Sequence, residues 1–273
     1  MITGATRVAG VIGDPVRHSL SPVLHNTAYA ALGLDFVYVA FEVPNGATAA
    51  ALDAARALQL VGLSVTMPHK TAAAAACDEL TATAAALESV NTITRRADGT
   101  LQGSSTDGAG FLASLRDAGH EIAGCSVLVL GAGGAARAVA HALGQSGAHV
   151  SVAARRADAA ARAAHLGSGQ AVAWKDRLTV AAGADIVVNA TPIGMGDGEL
   201  AMPVDSLHAG QLVVDLVYHP LVTPLLAAAR ERGAATVDGL GMLVHQAGLQ
   251  VLAWTGHAPP TGAMRAAAES ALT

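Results

Sequence analysis

Three short polar clusters interrupt apolar sequence in the first half of this chain. They read GDPVRHSLSP over residues 13–22, SVTMPHK over 64–70 and SSTDG over 104–108. Between them they hold an amine (Lys70), a carboxylate (Asp107) and the short hydroxyls of Ser19, Ser21 and Thr66. An amine and a carboxylate brought together can hold and move a proton. Each cluster also has a plainer reading: Ser21 and Asp107 as helix caps, Lys70 as a solvated first-turn lysine. All three follow expected strands, at the edge where α/β sheets bind ligands. Three such coincidences point to one ligand site.

A fourth stretch, VLVLGAGGAARA over 127–138, points to a nucleotide. A buried strand stops at Gly131, and small residues lead into a helix. Gly131-x-Gly133-x-x-Ala136 fits the dinucleotide fingerprint in its G-x-G-x-x-A form. The first glycine makes the tight turn, the second admits a pyrophosphate, and the third position lets the helix pack on the strand. The helix N-terminus offers free N–H groups and a partial positive charge. NAD sites usually carry an acid about 20 residues further on, at the end of the next strand. Here that position reads Val152-Ala153-Ala154-Arg155-Arg156. Alone, the arginine pair reads equally as the solvated start of a surface helix. Behind a matching glycine loop, NADP is the better reading, because a guanidinium fork suits a 2′-phosphate.

The elements that must position these residues alternate. Strands are expected at 8–12, 36–43, 61–65, 91–95 and 100–103, the last two joined by an Asp98-Gly99 turn. Helices are expected at 21–32, with Ser21 as N-cap and Pro22 next, at 47–58, after Pro68, and from Thr106 or Asp107 to 118. A second series follows, with strands at 126–130, 149–153, 171–174, 185–189, 212–216 and 236–238. Helices separate most of these, which implies βαβ units and a parallel sheet. Two helices, 241–254 and 261–272, close the chain and are free to pack on the first domain. The expected fold class is α/β with two domains. An N-terminal α/β substrate domain spans 1–120 and is completed by helices 241–273. A Rossmann-type, doubly wound NADP-binding domain spans 121–240. A cleft between them is expected.

The 273 residues are 52% hydrophobic and 14% charged, ample for buried cores. Net charge is −5, without a basic stripe, so no nucleic-acid partner is expected. No signal-peptide core and no uncharged apolar run of about 18 residues stands out, so a cytoplasmic protein without membrane contact is expected. Cys77 and Cys125 lie far apart and read as reduced core residues. His18, His25 and His69 lack metal-ligand spacing, so no metal is expected.

Beyond the glycine loop, the ordered motifs are GDPVRHSLSPVLHN (13–26), SVTMPHK (64–70), SVNT (89–92), STDGAGF (105–111), NATPIGM (189–195), DLVYHPLVTPLL (215–226) and GLGMLVHQA (239–247). In order and spacing they resemble the shikimate dehydrogenase family over nearly the whole chain. The resemblance implies NADPH-dependent reduction of 3-dehydroshikimate, in aromatic amino-acid biosynthesis. It implies Lys70 and Asp107 as the catalytic pair. Ser19 and Ser21 would hold the substrate carboxylate. Thr66, Asn91 and Gln246 would meet the ring hydroxyls, and Tyr218 would reach the substrate from the second domain. The cofactor side would comprise Gly131, Gly133, Gly134, Ala135, Arg155, Arg156, Thr191, Met195, Gly239 and Met242, with Gly241 in the same stretch.

Two positions depart from the family pattern. Ser105 replaces the asparagine that commonly precedes the Thr-Asp pair, and Ala154 replaces the one before the cofactor arginine. The second is expected to remove a polar contact near the adenosine. The competing readings are a quinate/shikimate dehydrogenase of the same superfamily, often preferring NAD, a folate-type dehydrogenase, and a non-catalytic NADP sensor. The sensor reading calls for damage at Lys70 or Asp107, and both are intact. The implied partner is a small-molecule substrate, with the protein a monomer or homodimer.

Overall fold

The computed structural model describes residues 1–272. It contains two compact units, residues 1–106 with 244–272 and residues 107–243.

The first unit is built on a six-stranded sheet. Its elements are β1 (Arg7–Gly13), α1 (Ser21–Ala31), β2 (Phe36–Glu42), α2 (Thr48–Ala57), β3 (Gly62–Val65), α3 (Lys70–Ala76), β4 (Glu79–Leu80), α4 (Ala82–Leu87), β5 (Thr92–Arg95) and β6 (Leu101–Ser104). The strand order is β2-β1-β3-β5-β6-β4. Every neighbouring pair is parallel except those made by β5, which runs antiparallel to β3 and β6. Ile12, Leu52, Leu63, Ile93 and Leu101 fill one core of this unit.

The elements expected from sequence do not include β4 or α4. An alanine-rich run over 71–86 shows no apolar period that would break it. Two polar side chains make the break. Asp78 accepts from the Leu101 amide at 2.7 Å, and Thr81 caps α4 by accepting from the Ala84 amide at 3.3 Å.

The second unit comprises α5 (Asp107–Asp117), β7 (Ser126–Leu130), α6 (Gly134–Gln145), β8 (His149–Ala154), α7 (Ala157–Leu166), β9 (Gln170–Ala173), α8 (Arg177–Ala182), β10 (Ile186–Asn189), β11 (Leu212–Asp215), α9 (Pro224–Glu231) and β12 (Ala235–Val237). All six strands are parallel, in the order β12-β11-β10-β7-β8-β9. Counted from β7, this is the doubly wound 3-2-1-4-5-6 order, and the winding reverses between β7 and β10. Val127, Val129 and Val188 on one face and Leu128, Val187 and Val213 on the other are buried almost completely, as a sheet covered on both faces requires.

Helix α5, expected in the first domain, belongs to the second. Its residues Phe111 and Leu115 are buried in the same core as Val139 and Leu143 of α6. At Gly108 a Cβ would lie 2.7 Å from the Ala138 carbonyl oxygen, so only glycine permits this approach. Residues 119–124, expected as the boundary, are a connection inside the second unit.

Helix α10 (Gly239–Thr255) contains the other division between the units, and α11 (Thr261–Leu272) packs within the first unit. Asp238 caps α10, accepting from the Leu240 and Gly241 amides at 3.1 and 3.3 Å. Trp254 lies over Gly62 and donates its indole N–H to the Ile93 carbonyl at 3.1 Å. Among the described residues, no helix is long and apolar enough to cross a membrane.

Candidate active site

The topology of the first sheet collects the polar clusters on one edge. Ser19 and Ser21 follow the carboxyl end of β1, Thr66 and Lys70 follow that of β3, and Thr106 follows that of β6. Asn91 precedes β5 and still reaches the same edge, because β5 runs the other way.

The local geometry corrects the expectation that Ser21 is a helix cap. The N-cap position is Leu20, which makes no side-chain cap bond, and Ser21 is the first helical residue. The Ser19 hydroxyl oxygen accepts from the Ser21 amide at 3.2 Å. Ser21 is buried and Ser19 partly buried. Asp107 is the first residue of α5, buried and in its first turn, so it belongs to the second unit.

Lys70, partly buried, opens α3. Its backbone carbonyl accepts from the Val90 amide at 3.0 Å. The preceding His69 is fully buried, with its ring held between the Thr48 hydroxyl at 2.9 Å and the Val43 carbonyl at 2.8 Å. A carbonyl oxygen only accepts, so His69 Nε2 donates to Val43. The backbone that carries Lys70 is thereby fixed on both sides.

Asn91 is 4% exposed. Its Oδ1 accepts from the Thr106 amide at 2.8 Å and from the Thr92 hydroxyl at 2.8 Å. Its Nδ2 donates to the Thr106 hydroxyl at 3.0 Å and lies 3.5 Å from Gln246 Oε1. Beneath them the Gln250 side chain contacts Thr92, Gln246, Ser64 and His25. None of Ser64, Thr92, Gln250 or His25 is read from sequence as part of a site. The available signal is spacing, since Met242, Gln246 and Gln250 recur every four residues along α10.

In the second unit the functional positions again gather at carboxyl strand ends. Gly131 follows β7 with φ +112°, and a Cβ there would lie 2.8 Å from the Ala190 carbonyl oxygen. Gly133 is the N-cap of α6 and supplies no side-chain cap. The amides of Gly134, Ala135 and Ala136 therefore open the helix without intrahelical acceptors. A Cβ at Gly133 would meet nothing within 4 Å. Open backbone and unclaimed donors fit a pyrophosphate.

Arg155 and Arg156 follow β8, both exposed, with Arg156 as the N-cap of α7. The nearest acid along the chain, Asp158, pairs with Arg162 at 2.9 Å. Two guanidiniums at this strand end fit a phosphate on the adenosine ribose.

Asn189 ends β10 and Asp215 ends β11, opposite each other in register. Asp215 is fully buried, and accepts from Asn189 Nδ2 at 2.9 Å, the Val217 amide at 3.0 Å and the Thr223 hydroxyl at 2.7 Å. Burial pushes its carboxyl above the usual range, against those three donors. Asn189 Oδ1 accepts from the Thr191 amide and hydroxyl, at 3.0 and 2.7 Å, and Nδ2 donates to the Ile193 carbonyl at 3.1 Å. One buried acid thus ties the segment with Thr191 and Met195 to the one with Tyr218. Met195 is exposed and Tyr218 partly buried, with its phenol raised by desolvation. Gly239 opens α10, where any Cβ would collide with the Leu216 carbonyl, and Met242 lies in the core of the second unit.

Three family models match the chain. A shikimate dehydrogenase substrate binding domain matches residues 11–93. A coenzyme F420-dependent NADP oxidoreductase model matches 126–219, and a shikimate 5′-dehydrogenase C-terminal domain matches 239–269. The shikimate dehydrogenase (NADP(+)) of Geobacter sp. strain M21 is 45% identical, covering 97% of this chain and 96% of that one. Among solved structures, shikimate 5-dehydrogenase of Thermus thermophilus in complex with NADP(H) and shikimate is 38% identical. It covers 97% of this chain and 100% of its own, with a TM-score of 0.91. Quinate dehydrogenase from Corynebacterium glutamicum in complex with NAD is 33% identical, covering 97% and 99%, with a TM-score of 0.92. With identity of this order over nearly the whole length, this chain belongs to the shikimate dehydrogenase family.

Proposed function

We propose that the chain is an NADP-dependent shikimate dehydrogenase. It interconverts shikimate and 3-dehydroshikimate, in the pathway that supplies chorismate and the aromatic amino acids. The observation that carries this reading is the sheet edge of the first unit. It presents Lys70 with a set of neutral hydroxyl and amide groups, Ser19, Ser21, Thr66 and Asn91.

The roles follow from the chemistry of each group. Ser19 and Ser21 hold the carboxylate, and Thr66, Asn91 and Gln246 meet the ring hydroxyls, with Tyr218 as a further contact. Reducing the ketone builds negative charge on its oxygen. Lys70 stabilises that charge and donates the proton, and in the reverse direction it accepts one. Asp107 orients Lys70. Bound NADP supplies the hydride donor and acceptor. The amides of Gly134 and Ala135, behind Gly131 and Gly133, hold its pyrophosphate. Arg155 takes the 2′-phosphate with help from Arg156, while Thr191, Met195, Gly239 and Met242 line the nicotinamide side. Substrate binding falls mainly to the first unit, completed by the C-terminal helices, and NADP binding to the second. The protein works in the cytoplasm on a small molecule, as a monomer or homodimer, without a nucleic-acid or membrane partner.

The test is NADPH formation by the purified protein given shikimate and NADP. Sustained turnover is expected, and its absence at saturating concentrations of both would overturn the assignment. Arg155→Ala is expected to raise the KM for NADP by roughly 10- to 100-fold, the loss of a charge-assisted contact. The KM for NAD should hardly move, and equal rises for both cofactors would remove Arg155 from the 2′-phosphate.

A further inference from the structure

Only two residues, Ser105 and Thr106, separate the end of β6 from the start of α5. Both ends of this link are fastened to one residue, Asn91. The Asn91 amide donates to the Ser104 carbonyl at 3.1 Å. The Thr106 amide donates to Asn91 Oδ1 at 2.8 Å. A backbone N–H only donates, so the Asn91 side chain is held one way round. Its Nδ2 then donates to Thr106 Oγ1 at 3.0 Å. The Thr106 hydroxyl also lies 3.3 Å from Thr92 Oγ1 and from Asn91 Oδ1. Thr106 thus offers one donor and one acceptor to a single buried amide.

Asn91 is itself a fixed post. Its carbonyl accepts from the Val65 amide of β3 at 2.8 Å. Its neighbour Val90 is fully buried and donates its amide to the Lys70 carbonyl at 3.0 Å. The dipeptide Val90-Asn91 therefore ties down the backbone of Lys70 on one side and that of Thr106 on the other. Thr106 is the last residue of the first unit, and the next residue is Asp107. Beyond Asp107, Gly108 packs against the Ala138 carbonyl too closely for any side chain. The Asp107 backbone is thus anchored at both neighbours. Of these two anchors, Thr106 is the one that can be altered without disturbing the packing of α5 on α6.

We propose that Thr106 is a positioning residue for Asp107: its two-point grip on Asn91 fixes the backbone from which that carboxylate leaves. This rests on the proposed function, which pairs Asp107 with Lys70. A displacement of about 1 Å near a reacting centre can cost on the order of 10²-fold in rate. A two-residue link has little slack to absorb such a displacement. Thr106 acts through Asp107 and does not itself carry the proton.

Shikimate oxidation by the unaltered protein comes first, and no turnover there would overturn the function and this inference with it. Thr106→Val keeps the branched shape and the backbone amide and removes the hydroxyl that Asn91 Nδ2 meets. It is expected to lower kcat roughly tenfold, because a buried donor is left unpaired and its strand end shifts. The KM for NADP should not change. Thr106→Ser keeps the hydroxyl and should restore most of the rate. Thr106→Ala also lacks the hydroxyl and asks for no extra room, so it takes the place of valine if that variant folds poorly. The sharpest comparison adds Asp107→Asn. In that background the loss of the Thr106 hydroxyl is expected to change kcat by less than about twofold, because the group it positions is already altered. An equal loss in both backgrounds, or an unchanged kcat with only a lowered Tm, would reduce Thr106 to a structural residue. Either result, in a protein that oxidises shikimate, would overturn this inference alone.

Discussion

Lys70→Ala is expected to lower kcat by about 10²- to 10⁴-fold, the usual worth of a positioned proton donor. The KM for shikimate should change little by comparison, because the proposed assignment gives the carboxylate and most hydroxyls to other residues. The structure makes this a clean test. Lys70 contributes its backbone to the fold through the Val90 amide, and alanine keeps that bond. His69, which fixes the start of α3, is held by Thr48 and Val43 and does not depend on the lysine side chain. Tm should therefore stay close to that of the unaltered protein. Near-normal turnover in the variant would remove Lys70 from the chemistry. A large fall in Tm would mean that the kinetic loss reports folding instead.

Asp215→Ala is expected to destabilise the second unit by roughly 3–5 kcal/mol, since three donors to a buried carboxylate lose their acceptor together. It should also raise the KM for both shikimate and NADP, because Asp215 joins the segment of Tyr218 to the segment of Thr191 and Met195. Asp215→Asn should be far milder. One amide oxygen can still accept from Asn189 and Val217, and the Thr223 hydroxyl can turn to accept from the new amide. The variant also removes a charge that burial disfavours. The Asp215 carboxyl is raised in the folded protein by desolvation. Its linked contribution to stability is thus full below the ordinary carboxylate pKa and is lost as pH rises through the raised value. Asp215→Asn should flatten that part of the stability profile. Denaturant unfolding with both variants checks the pair, and an alanine variant as stable as the unaltered protein would contradict the account.

Much of the architecture was legible in the chain. The hydrophobic runs ending at Leu130 and Asn189, each followed by small residues, mark buried parallel strands. The glycine loop pointed to a dinucleotide and the arginines after β8 to NADP over NAD, while the unit that carries them begins earlier than expected, at Asp107. What stayed hidden depended on long-range partners. Asn91 was named only by the family resemblance: the Asp98-Gly99 turn marks the pairing of β5 with β6, but not the antiparallel pairing of β5 with β3 that brings Asn91 to this edge. Helix α5 packs on α6 through Gly108, a contact no periodicity shows. The network under the site joins Tyr38, Ser64, Thr92 and Gln250 from four separate elements, and each alone reads as an ordinary buried polar residue. Ser21 looked like a cap because Ser-Pro commonly opens helices, yet the chain already turns at Leu20.

The central claim joins a substrate to a cofactor, so both must be varied together. The direct measurement compares kcat/KM for shikimate and for quinate, each with NADP and with NAD. The two serines at 19 and 21 and the arginines at 155 and 156 predict that shikimate with NADP is the fastest of the four combinations. Fastest turnover of quinate with NAD would contradict the account.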